Sequence, residues 1–231
     1  MTAADGLVRG DDGVLRCWWG AGDELYRRYH DTEWGRPEGD DGKLFEKLCL
    51  EGFQSGLSWL TILRKRESFR SAFAGYDARI VAGFTPADVD RLLEDRGIVR
   101  NRAKIESTIH NARRCSELAG EFGSLAAYVW GFEPEARSRP PLLDADALRE
   151  LKHSAEATAM SRDMRKRGWS FVGPTTLYSF MQAMGLVNDH LEGCAARTQV
   201  EQERRSFERP PRPSLPRSPG EYPAQPGEGA R

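Results

Sequence analysis

The chain lacks any apolar segment approaching the length of a bilayer span, and it has no leading apolar segment of the kind that directs secretion. Its charges nearly cancel, with 34 Lys and Arg residues against 35 Asp and Glu residues. A nucleic-acid-binding surface would therefore have to be a local patch. Only four cysteines occur in 231 residues, which favours a reducing, cytoplasmic setting over a disulfide framework. We expect no membrane association.

The chain also lacks sustained alternation of apolar and polar residues between hairpin turn signals, which excludes a mainly β fold. Helical periodicity runs through most of the chain instead, and capping residues such as Asp23, Ser58 and Thr85 stand at helix starts. The predicted helices span residues 24–31, 43–53, 59–66, 86–93, 101–119, 124–130, 154–167 and 177–184. The sequence therefore predicts an all-α, bundle-like domain.

Composition divides the chain into three parts. Residues 198–231 hold seven of the 13 prolines and few large apolar side chains, so they cannot bury enough surface to offset their ordering entropy. We expect this segment to be a disordered tail rich in proline and arginine. Residues 1–14 are expected to be a mobile extension, and residues 133–144 a surface loop. Residues 15–197 form the predicted helical domain.

Two cysteines and two histidines stand at opposite ends of this domain. Cys17 and His30 lie near its start, and His190 and Cys194 close it. Two thiolates and two imidazoles make a closed tetrahedral set, which would tie the first helical segment to the last through one structural zinc ion. His190 and Cys194, four apart, would face the same way on a helix. Either pair alone fits ordinary packing better than metal binding, and the motifs of catalytic zinc sites are missing.

A glycine-bounded connection separates two predicted helices near the end of the domain. The helix that ends in Arg165-Lys166-Arg167 meets the segment from Gly168 to Pro174, after which Thr175 or Thr176 can open the next helix. A helix N-terminus beside glycines offers backbone N–H groups to a phosphate, and Arg165, Lys166 and Arg167 would add positive charge beside it. The pattern indicates contacts to the DNA backbone through Lys166, Gly173 and Thr175. A solvated basic helix end is the alternative.

An acidic residue lies at the edge of the apolar face of the second predicted helix. Glu51 falls beside Leu44 on the helical wheel, where its carboxylate can look into a cavity while its neighbours pack. Such a carboxylate would accept hydrogen bonds from a bound base or attract a cation, whereas a solvated rim glutamate is the alternative. Leu57 follows between glycine and a turn and can wedge between bases, and Trp59 can stack on one.

Three aromatic residues, Tyr26, Tyr29 and Trp34, cluster around His30 in the sequence. Aromatic side chains at helical spacing usually pack in a core. A zinc ion held by His30 would fix the backbone that carries them, so they could instead form a preorganised wall around a planar ligand.

These residues lie in long strings that resemble the 3-methyladenine DNA glycosylase I family of the helix-hairpin-helix DNA glycosylase superfamily. The strings are Tyr26-x-x-Tyr29-His30-Asp31-x-Glu33-Trp34-Gly35, Leu44-Phe45-Glu46 with Leu50-Glu51-Gly52-Phe53-Gln54-Ser55-Gly56-Leu57-Ser58-Trp59, and Phe171-Val172-Gly173-Pro174-Thr175 with Tyr178-Ser179-Phe180-Met181-Gln182-Ala183-Met184-Gly185-Leu186-Val187-Asn188-Asp189-His190. The resemblance runs from about Arg16 to Cys194 without a missing block.

The resemblance implies an all-helical helix-hairpin-helix fold and a structural zinc ion. It implies double-stranded DNA containing 3-methyladenine as substrate, with the damaged base flipped into a pocket. Alkylation makes this base cationic, so it departs as a neutral purine and needs little catalytic force. Leu57 would fill the gap left in the duplex. The other implied residues are Glu51 as catalytic residue, Tyr26, Tyr29, Trp34 and Trp59 around the base, and Cys17, His30, His190 and Cys194 on zinc.

The sequence assigns no group that activates water. Asp189 adjoins the metal ligand His190, and the connection between the two late helices carries no lysine suited to Schiff-base chemistry. We therefore expect a monomeric enzyme that hydrolyses the glycosidic bond to leave an abasic site, without lyase activity. Two other classes stay open: a zinc-stabilised protein that recognises damaged DNA without excision, and a zinc hydrolase that acts on nucleobases.

Overall fold

The computed structural model describes residues 6–151 and 153–211. Within them, a short antiparallel hairpin of β1 (Leu7–Arg9) and β2 (Leu15–Cys17) precedes eleven α-helices. The helices are α1 (Glu24–Thr32), α2 (Asp41–Gln54), α3 (Trp59–Ala72), α4 (Ala78–Val81), α5 (Pro86–Glu94), α6 (Arg102–Phe122), α7 (Leu125–Trp130), α8 (Ala145–Glu150), α9 (Ala155–Lys166), α10 (Pro174–Ala183) and α11 (Ala195–Ser206).

Side-chain caps begin the helices that carry the site. Asp23 accepts hydrogen bonds from the N–H groups of Leu25 and Tyr26 at the start of α1, and Ser58 accepts one from Thr61 at the start of α3. Each cap satisfies backbone donors that the helix leaves unpaired and stabilises it by about 1 kcal/mol. The helix starts expected at these two caps are confirmed.

Helix α2 is the centre of the core and packs against α3, α6, α7 and α10. Every residue from Leu44 to Phe53 is buried, so α2 is covered on all sides over this stretch. Its polar residues Glu46, Lys47 and Glu51 are therefore buried together with the apolar ones. A buried charge is stable only when it is paired, so these three side chains must find partners inside the protein.

Helices α9 and α10 are joined by a tight turn, residues 167–173, and pack against each other. Gly168 has a φ of 88°, which glycine adopts without strain. Asn111 on α6 holds the turn, because its amide donates to the Ser170 carbonyl at 3.0 Å and its Oδ1 accepts the Ser170 N–H at 3.0 Å. Helix α10 begins at Pro174, earlier than the predicted start at residue 177, since the fixed φ of proline suits the first helical position.

Two predicted boundaries fall inside regular structure. Residues 7–9, assigned to the N-terminal extension, form β1 and pair with β2. The boundary at residue 198 lies within α11, where Val200 is fully buried and Arg204 donates to the carbonyl oxygens of Gly185 and Leu186. Amino-acid composition does not predict α11, because the helix is held to the domain by hydrogen bonds from a charged side chain more than by buried apolar surface. The expected disorder of residues 212–231 lies outside the described residues.

The prediction of a mainly helical domain is confirmed, and the β1–β2 hairpin is its exception. Its strands have only three residues each, too few to produce the alternation by which a strand is recognised in a sequence. In the two described ranges, none of the helices combines the length and the apolar character that crossing a bilayer requires.

Candidate active site and metal centre

A cavity of about 370 Å³ lies where α1, α2, α3 and α10 meet. This volume falls within the range of about 300–1,000 Å³ that is typical of small-molecule pockets. The five predicted base-contacting residues all line it: Tyr26, Tyr29, Trp34, Glu51 and Trp59. Its other lining residues, which the sequence did not single out, are Trp18, Trp19, Lys47, Gln54, Leu148, Leu151, Ser179 and Gln182.

Glu51 supplies the acidic group of the cavity. Its side chain is 5% exposed, and its Oε1 lies 2.7 Å from the Nζ of Lys47. The two residues are one helical turn apart on α2, so they project from the same face. The structure therefore places Glu51 in the cavity wall, as the helical wheel indicates, but already paired with a buried cation.

Lys47 makes three contacts inside the cavity wall. Besides Glu51, its Nζ donates a hydrogen bond to the Tyr29 hydroxyl at 2.9 Å and lies 3.2 Å from the centroid of the Trp59 ring. Burial lowers the pKa of Lys47, and the charge of Glu51 raises it again. Burial also raises the pKa of Tyr29, with a further contribution from Glu51. Tyr29 thus stays a neutral phenol, and its hydroxyl oxygen accepts a hydrogen bond from Lys47.

The aromatic side chains form one connected cluster along the cavity. Trp19 is its centre, with ring centroids 5.1 Å from Tyr26 and 4.8 Å from Trp34. Tyr29 and Trp59 face each other at 5.5 Å. Tilted and edge-on contacts at these distances are the favoured arrangements of aromatic pairs. The rings therefore support one another and can present flat surfaces to a planar ligand.

Leu57 lies on the turn between α2 and α3, and its side chain is among the few large apolar ones that are exposed. Gln54, which lines the cavity, donates a hydrogen bond from Nε2 to the Leu57 carbonyl at 2.9 Å. The preceding Gly56 has a φ of 81°, which allows the chain to reverse there. The turn that carries Leu57 is thus joined to the rim of the cavity.

The four predicted metal ligands converge on one point. Their ligand atoms lie within 4.8 Å of one another, and all four residues are buried. The Sγ of Cys194 is 3.5 Å from His30 Nε2 and 3.5 Å from His190 Nδ1, while the Sγ of Cys17 is 3.9 Å from His190 Nδ1. Zinc bonds of about 2.3 Å to sulfur and about 2.0 Å to nitrogen place tetrahedral ligands about 3.5 Å apart. The set therefore fits a single tetrahedral metal ion.

The remaining nitrogen of each histidine ring is used to orient it. His30 Nδ1 donates to Asp31 at 2.8 Å, and Arg16 in turn binds the same carboxylate. His190 Nε2 donates to the Trp34 carbonyl at 3.1 Å. These bonds leave His30 Nε2 and His190 Nδ1, the atoms nearest the sulfurs, as free lone pairs. Such outer partners are typical of histidines that bind metals.

Two details of this centre differ from the sequence-based expectation or add to it. His190 and Cys194 face the same point because a turn precedes α11, in which the Cys194 N–H donates to the Leu191 carbonyl, and not because they share a helix. A hydrogen bond from Cys17 holds the pKa of the Cys194 thiol far below its ordinary value. This shift favours the thiolate, the form of cysteine that binds a cation.

The metal centre and the cavity share backbone and ring contacts. Trp19 follows Cys17 by two residues and its ring lies 4.9 Å from His30, while the ring of Trp34 lies 4.7 Å from His190. Anything that fixes the ligands therefore also fixes two rings of the cavity wall. The expected link between metal binding and the aromatic wall has a direct geometric basis in these contacts.

The candidate phosphate contacts lie on the turn between α9 and α10. Gly173 is the N-cap of α10 without a side-chain cap, and Thr175 is exposed in the first turn, where an α-helix leaves its backbone N–H groups without intrahelical partners. Lys166 is exposed at the end of α9. Arg167, in contrast, is bound to Glu121 and to Asp163, so its charge is compensated. The free charge beside this turn comes from Lys166 more than from Arg167.

Asp189 does not line the cavity. It is fully buried and binds Arg139, the Tyr178 hydroxyl at 2.7 Å and Gln182 Nε2 at 2.8 Å. Gln182 does line the cavity, so Asp189 fixes a wall residue without itself reaching a ligand. The sequence assigns no group that activates water, and the structure does not bring Asp189 into the cavity.

Lys47 and Trp19 are the main cavity residues that sequence reasoning missed. Lys47 lies four residues before Glu51, a spacing at which opposite charges pair on a helix, so this signal was available. No periodicity marks Trp19, which precedes α1 and lines the cavity with its ring 4.9 Å from that of His30, one of the candidate metal ligands.

Known proteins are similar to this chain over most of its length. Residues 18–198 match the family model for methyladenine glycosylase. The DNA-3-methyladenine glycosylase 1 of Escherichia coli (strain K12) is 47% identical over 180 residues, which are 78% of this chain and 95% of that protein. The DNA-3-methyladenine glycosylase of Haemophilus influenzae is 44% identical over 188 residues, 80% of this chain and 99% of that one.

Solved structures agree with these relatives. The 3-methyladenine DNA glycosylase I from Staphylococcus aureus, solved to explain its recognition of 3-methyladenine, has a TM-score of 0.73 and 34% identity, and the match covers 79% of this chain and 96% of that chain. A crystal structure of a 3-methyladenine DNA glycosylase I with 44% identity also gives a TM-score of 0.73, over 79% and 99% of the two chains. The resemblance seen in the sequence is confirmed: the chain belongs to the methyladenine glycosylase family and is a glycosylase.

Proposed function

We propose that the protein flips 3-methyladenine out of alkylated double-stranded DNA and hydrolyses its bond to deoxyribose, leaving an abasic site. The observation that carries this proposal is a buried carboxylate, Glu51, inside a cavity walled by aromatic rings. The named activity of the E. coli and H. influenzae relatives and the 3-methyladenine recognition studied in the S. aureus protein support the same substrate.

The substrate's own charge explains why one carboxylate suffices. A purine methylated at N3 is cationic while it is attached to the sugar, and it leaves as a neutral molecule. The barrier to bond cleavage is therefore low before the enzyme acts. The enzyme's task is to extrude the base, which costs a few kcal/mol and costs least for a damaged base, and to hold it while water attacks the sugar carbon.

Glu51 is proposed as the catalytic residue that accepts hydrogen bonds from the base edge and attracts its positive charge. Trp59 and Tyr29 would stack against the base, and Tyr26 and Trp34 would complete the wall. Aromatic rings bind a flat cation through both their area and their negative faces. Recognition then rests on charge and on shape together, which a neutral, undamaged purine satisfies only in part.

Contacts to the duplex are proposed on the same side as the cavity mouth. Leu57 would fill the space that the flipped base leaves. The turn between α9 and α10 would act as a helix-hairpin-helix element, in which the N–H groups near Gly173 and Thr175 bind a phosphate and Lys166 adds charge. The two elements adjoin, because a Cβ added at Gly52 on α2 would lie 3.3 Å from Phe171 in that turn.

We propose that one zinc ion is held by Cys17, His30, His190 and Cys194. When bound, zinc would supply a closed tetrahedral crosslink with no open position for a substrate. The ligands come from β2, α1 and the segment before α11, so the crosslink would join the two ends of the domain. The role is structural, and the cavity residues are positioned through the rings of Trp19 and Trp34.

Excision without strand cleavage follows from the state of the cavity lysine. A Schiff base requires a free amine within reach of the sugar. Lys47, the lysine of the cavity wall, is an ammonium group paired with Glu51, and an ammonium group has no lone pair with which to attack the sugar. We also propose that the enzyme is cytoplasmic and acts as a monomer.

The test is release of free 3-methyladenine from methylated DNA, measured by chromatography. The wild-type protein is expected to release the base and to leave strands intact until alkali is added. Glu51→Gln is expected to lose most of this activity, whereas Glu67→Gln, an exposed carboxylate on α3, should retain it. Tight binding to methylated DNA without base release would favour the alternative of a damage-recognition protein.

A further inference from the structure

Lys47 occupies the part of the cavity in which a cationic base would bind. Its ammonium group lies between the Glu51 carboxylate, at 2.7 Å, and the face of the Trp59 ring, at 3.2 Å from the centroid. A carboxylate and an aromatic face are the two features that attract an organic cation. The side chain thus makes within the protein the contacts that the proposed function assigns to the substrate.

The bonding of Lys47 leaves no room for an additional partner. An ammonium group has three N–H donors, and Glu51, the Tyr29 hydroxyl and the Trp59 face each take one. A base could not stack on this face of Trp59 or reach the same oxygen of Glu51 while Lys47 stays there. Lys47 is therefore not placed to donate a hydrogen bond to the base.

A second cavity of about 310 Å³ adjoins the first, and Lys47, Tyr29 and Trp59 line both of them. Both acidic and basic side chains line this second cavity, and Glu33 is one of the acidic ones. The charge of Glu33, like that of Glu51, raises the pKa of Lys47. The charge of Arg66, which is paired with Glu33, lowers it. The lysine side chain thus lies between two cavities, and its ammonium group fills the part of the first cavity that holds Glu51.

We propose that Lys47 is a resident cation of the base pocket, and that a flipped base reaches Glu51 and the Trp59 face only after the ammonium group has swung into the adjoining cavity toward Glu33. This inference rests on the proposed function and concerns the same site. In the empty pocket, Lys47 stays bound to Glu51 and fills the space between Glu51 and Trp59. Bound base and bound lysine exclude each other.

The exchange has a direct consequence for what the pocket accepts. A cationic base replaces Lys47 at Glu51 charge for charge, so the carboxylate stays paired. A neutral purine that displaces Lys47 leaves a buried carboxylate without its counter-ion, which is unfavourable. Lys47 therefore lowers the affinity for every purine and brings the affinity for undamaged purines below a useful level. Lys47 thus determines specificity because it occupies the space that a base must enter.

The test measures binding of two model bases to the full chain by calorimetry. One is 3,9-dimethyladeninium, in which a methyl group replaces the sugar and the charge is permanent, and the other is neutral 9-methyladenine. Lys47→Met, which keeps an unbranched side chain and removes the ammonium group, is expected to bind both bases at least tenfold more tightly than the wild-type protein. Lys47→Arg retains a cation and is expected to show no such gain. Thermal melting checks that both variants are folded.

Each outcome bears on the inference. Unchanged or weaker binding of both bases by Lys47→Met would overturn it. Tighter binding of the cationic base alone would also overturn it, because that result would mean that Lys47 repels the cation without filling the pocket. Binding by the wild-type protein that releases one proton, when the Lys47→Met variant releases none, would mean that the lysine neutralises in place and does not move. If neither protein binds either base, the proposed function itself is wrong.

Discussion

The ion pair between Lys47 and Glu51 predicts a large and pH-dependent loss of stability in Glu51→Gln. The side chains are 7% and 5% exposed and their charged atoms are 2.7 Å apart. At an effective dielectric constant of about 20, this separation corresponds to an attraction of about 6 kcal/mol. The cost of desolvating both groups cancels much of that attraction, so the relevant quantity is the cost of leaving Lys47 buried alone.

Removing one partner of a buried pair typically costs about 3–5 kcal/mol. The glutamine carbonyl can still accept a hydrogen bond from Lys47, so we expect a loss of about 3 kcal/mol, at the lower end of the range. For a protein of this size, that loss corresponds to a decrease in Tm of about 6–12 °C. The assay is thermal unfolding followed by circular dichroism at pH 7.

The pH dependence has a definite sign. Burial lowers the pKa of Lys47 below the ordinary lysine value of 10.5, and Glu51 opposes that shift, so the substitution lowers the pKa of Lys47 further. A folded state with a depressed lysine pKa binds fewer protons than the unfolded state, so its stability rises with pH up to the unfolded pKa. The deficit of Glu51→Gln relative to the wild-type protein should therefore shrink between pH 7 and pH 10.

The double variant Lys47→Met/Glu51→Gln is the matched control, because it removes the stranded charge. It is expected to be more stable than Glu51→Gln alone at pH 7, and this advantage should shrink toward pH 10, because only Glu51→Gln keeps a buried lysine that can lose its proton. The reasoning would be refuted if Glu51→Gln melts within about 2 °C of the wild-type protein at pH 7, or if the double variant is the less stable of the two.

Three further predictions concern the metal centre, the DNA contact and the C-terminal boundary. His190→Ala should lose bound zinc in elemental analysis together with at least about 3 kcal/mol of stability, because metal binding and folding are coupled. The control, His153→Ala, changes an exposed histidine and should keep both the zinc and the stability. One zinc per chain in His190→Ala would show that His190 is not a ligand. Lys166→Ala should weaken binding to all duplexes equally and reduce the salt slope by about 1, and a loss confined to some sequences would argue against a phosphate contact. Ending the chain after residue 197 removes the buried Val200 and should cost at least about 2 kcal/mol in a melting experiment, while ending it after residue 211 should leave the Tm unchanged.

Residue type and local spacing determined a large part of this protein. Helix starts at Asp23 and Ser58 follow from capping chemistry, which involves only neighbouring residues. The position of Glu51 at the edge of an apolar face follows from the helical period alone. Cys17, His30, His190 and Cys194 could be grouped from the sequence because their composition, two sulfurs and two imidazoles, is that of a tetrahedral site.

Only the tertiary structure decided how these parts act on one another. His190 and Cys194 converge through a turn before α11, although a shared helix was expected. Helix α11 exists beyond the predicted boundary because Arg204 bonds backbone carbonyl groups that are distant in sequence. Lys47 is buried because helices α3, α6, α7 and α10 cover α2 on every side. The aromatic ring that contacts its ammonium group, that of Trp59, belongs to α3. Contacts of this kind depend on how elements meet in space, and a local pattern of residues carries no information about that.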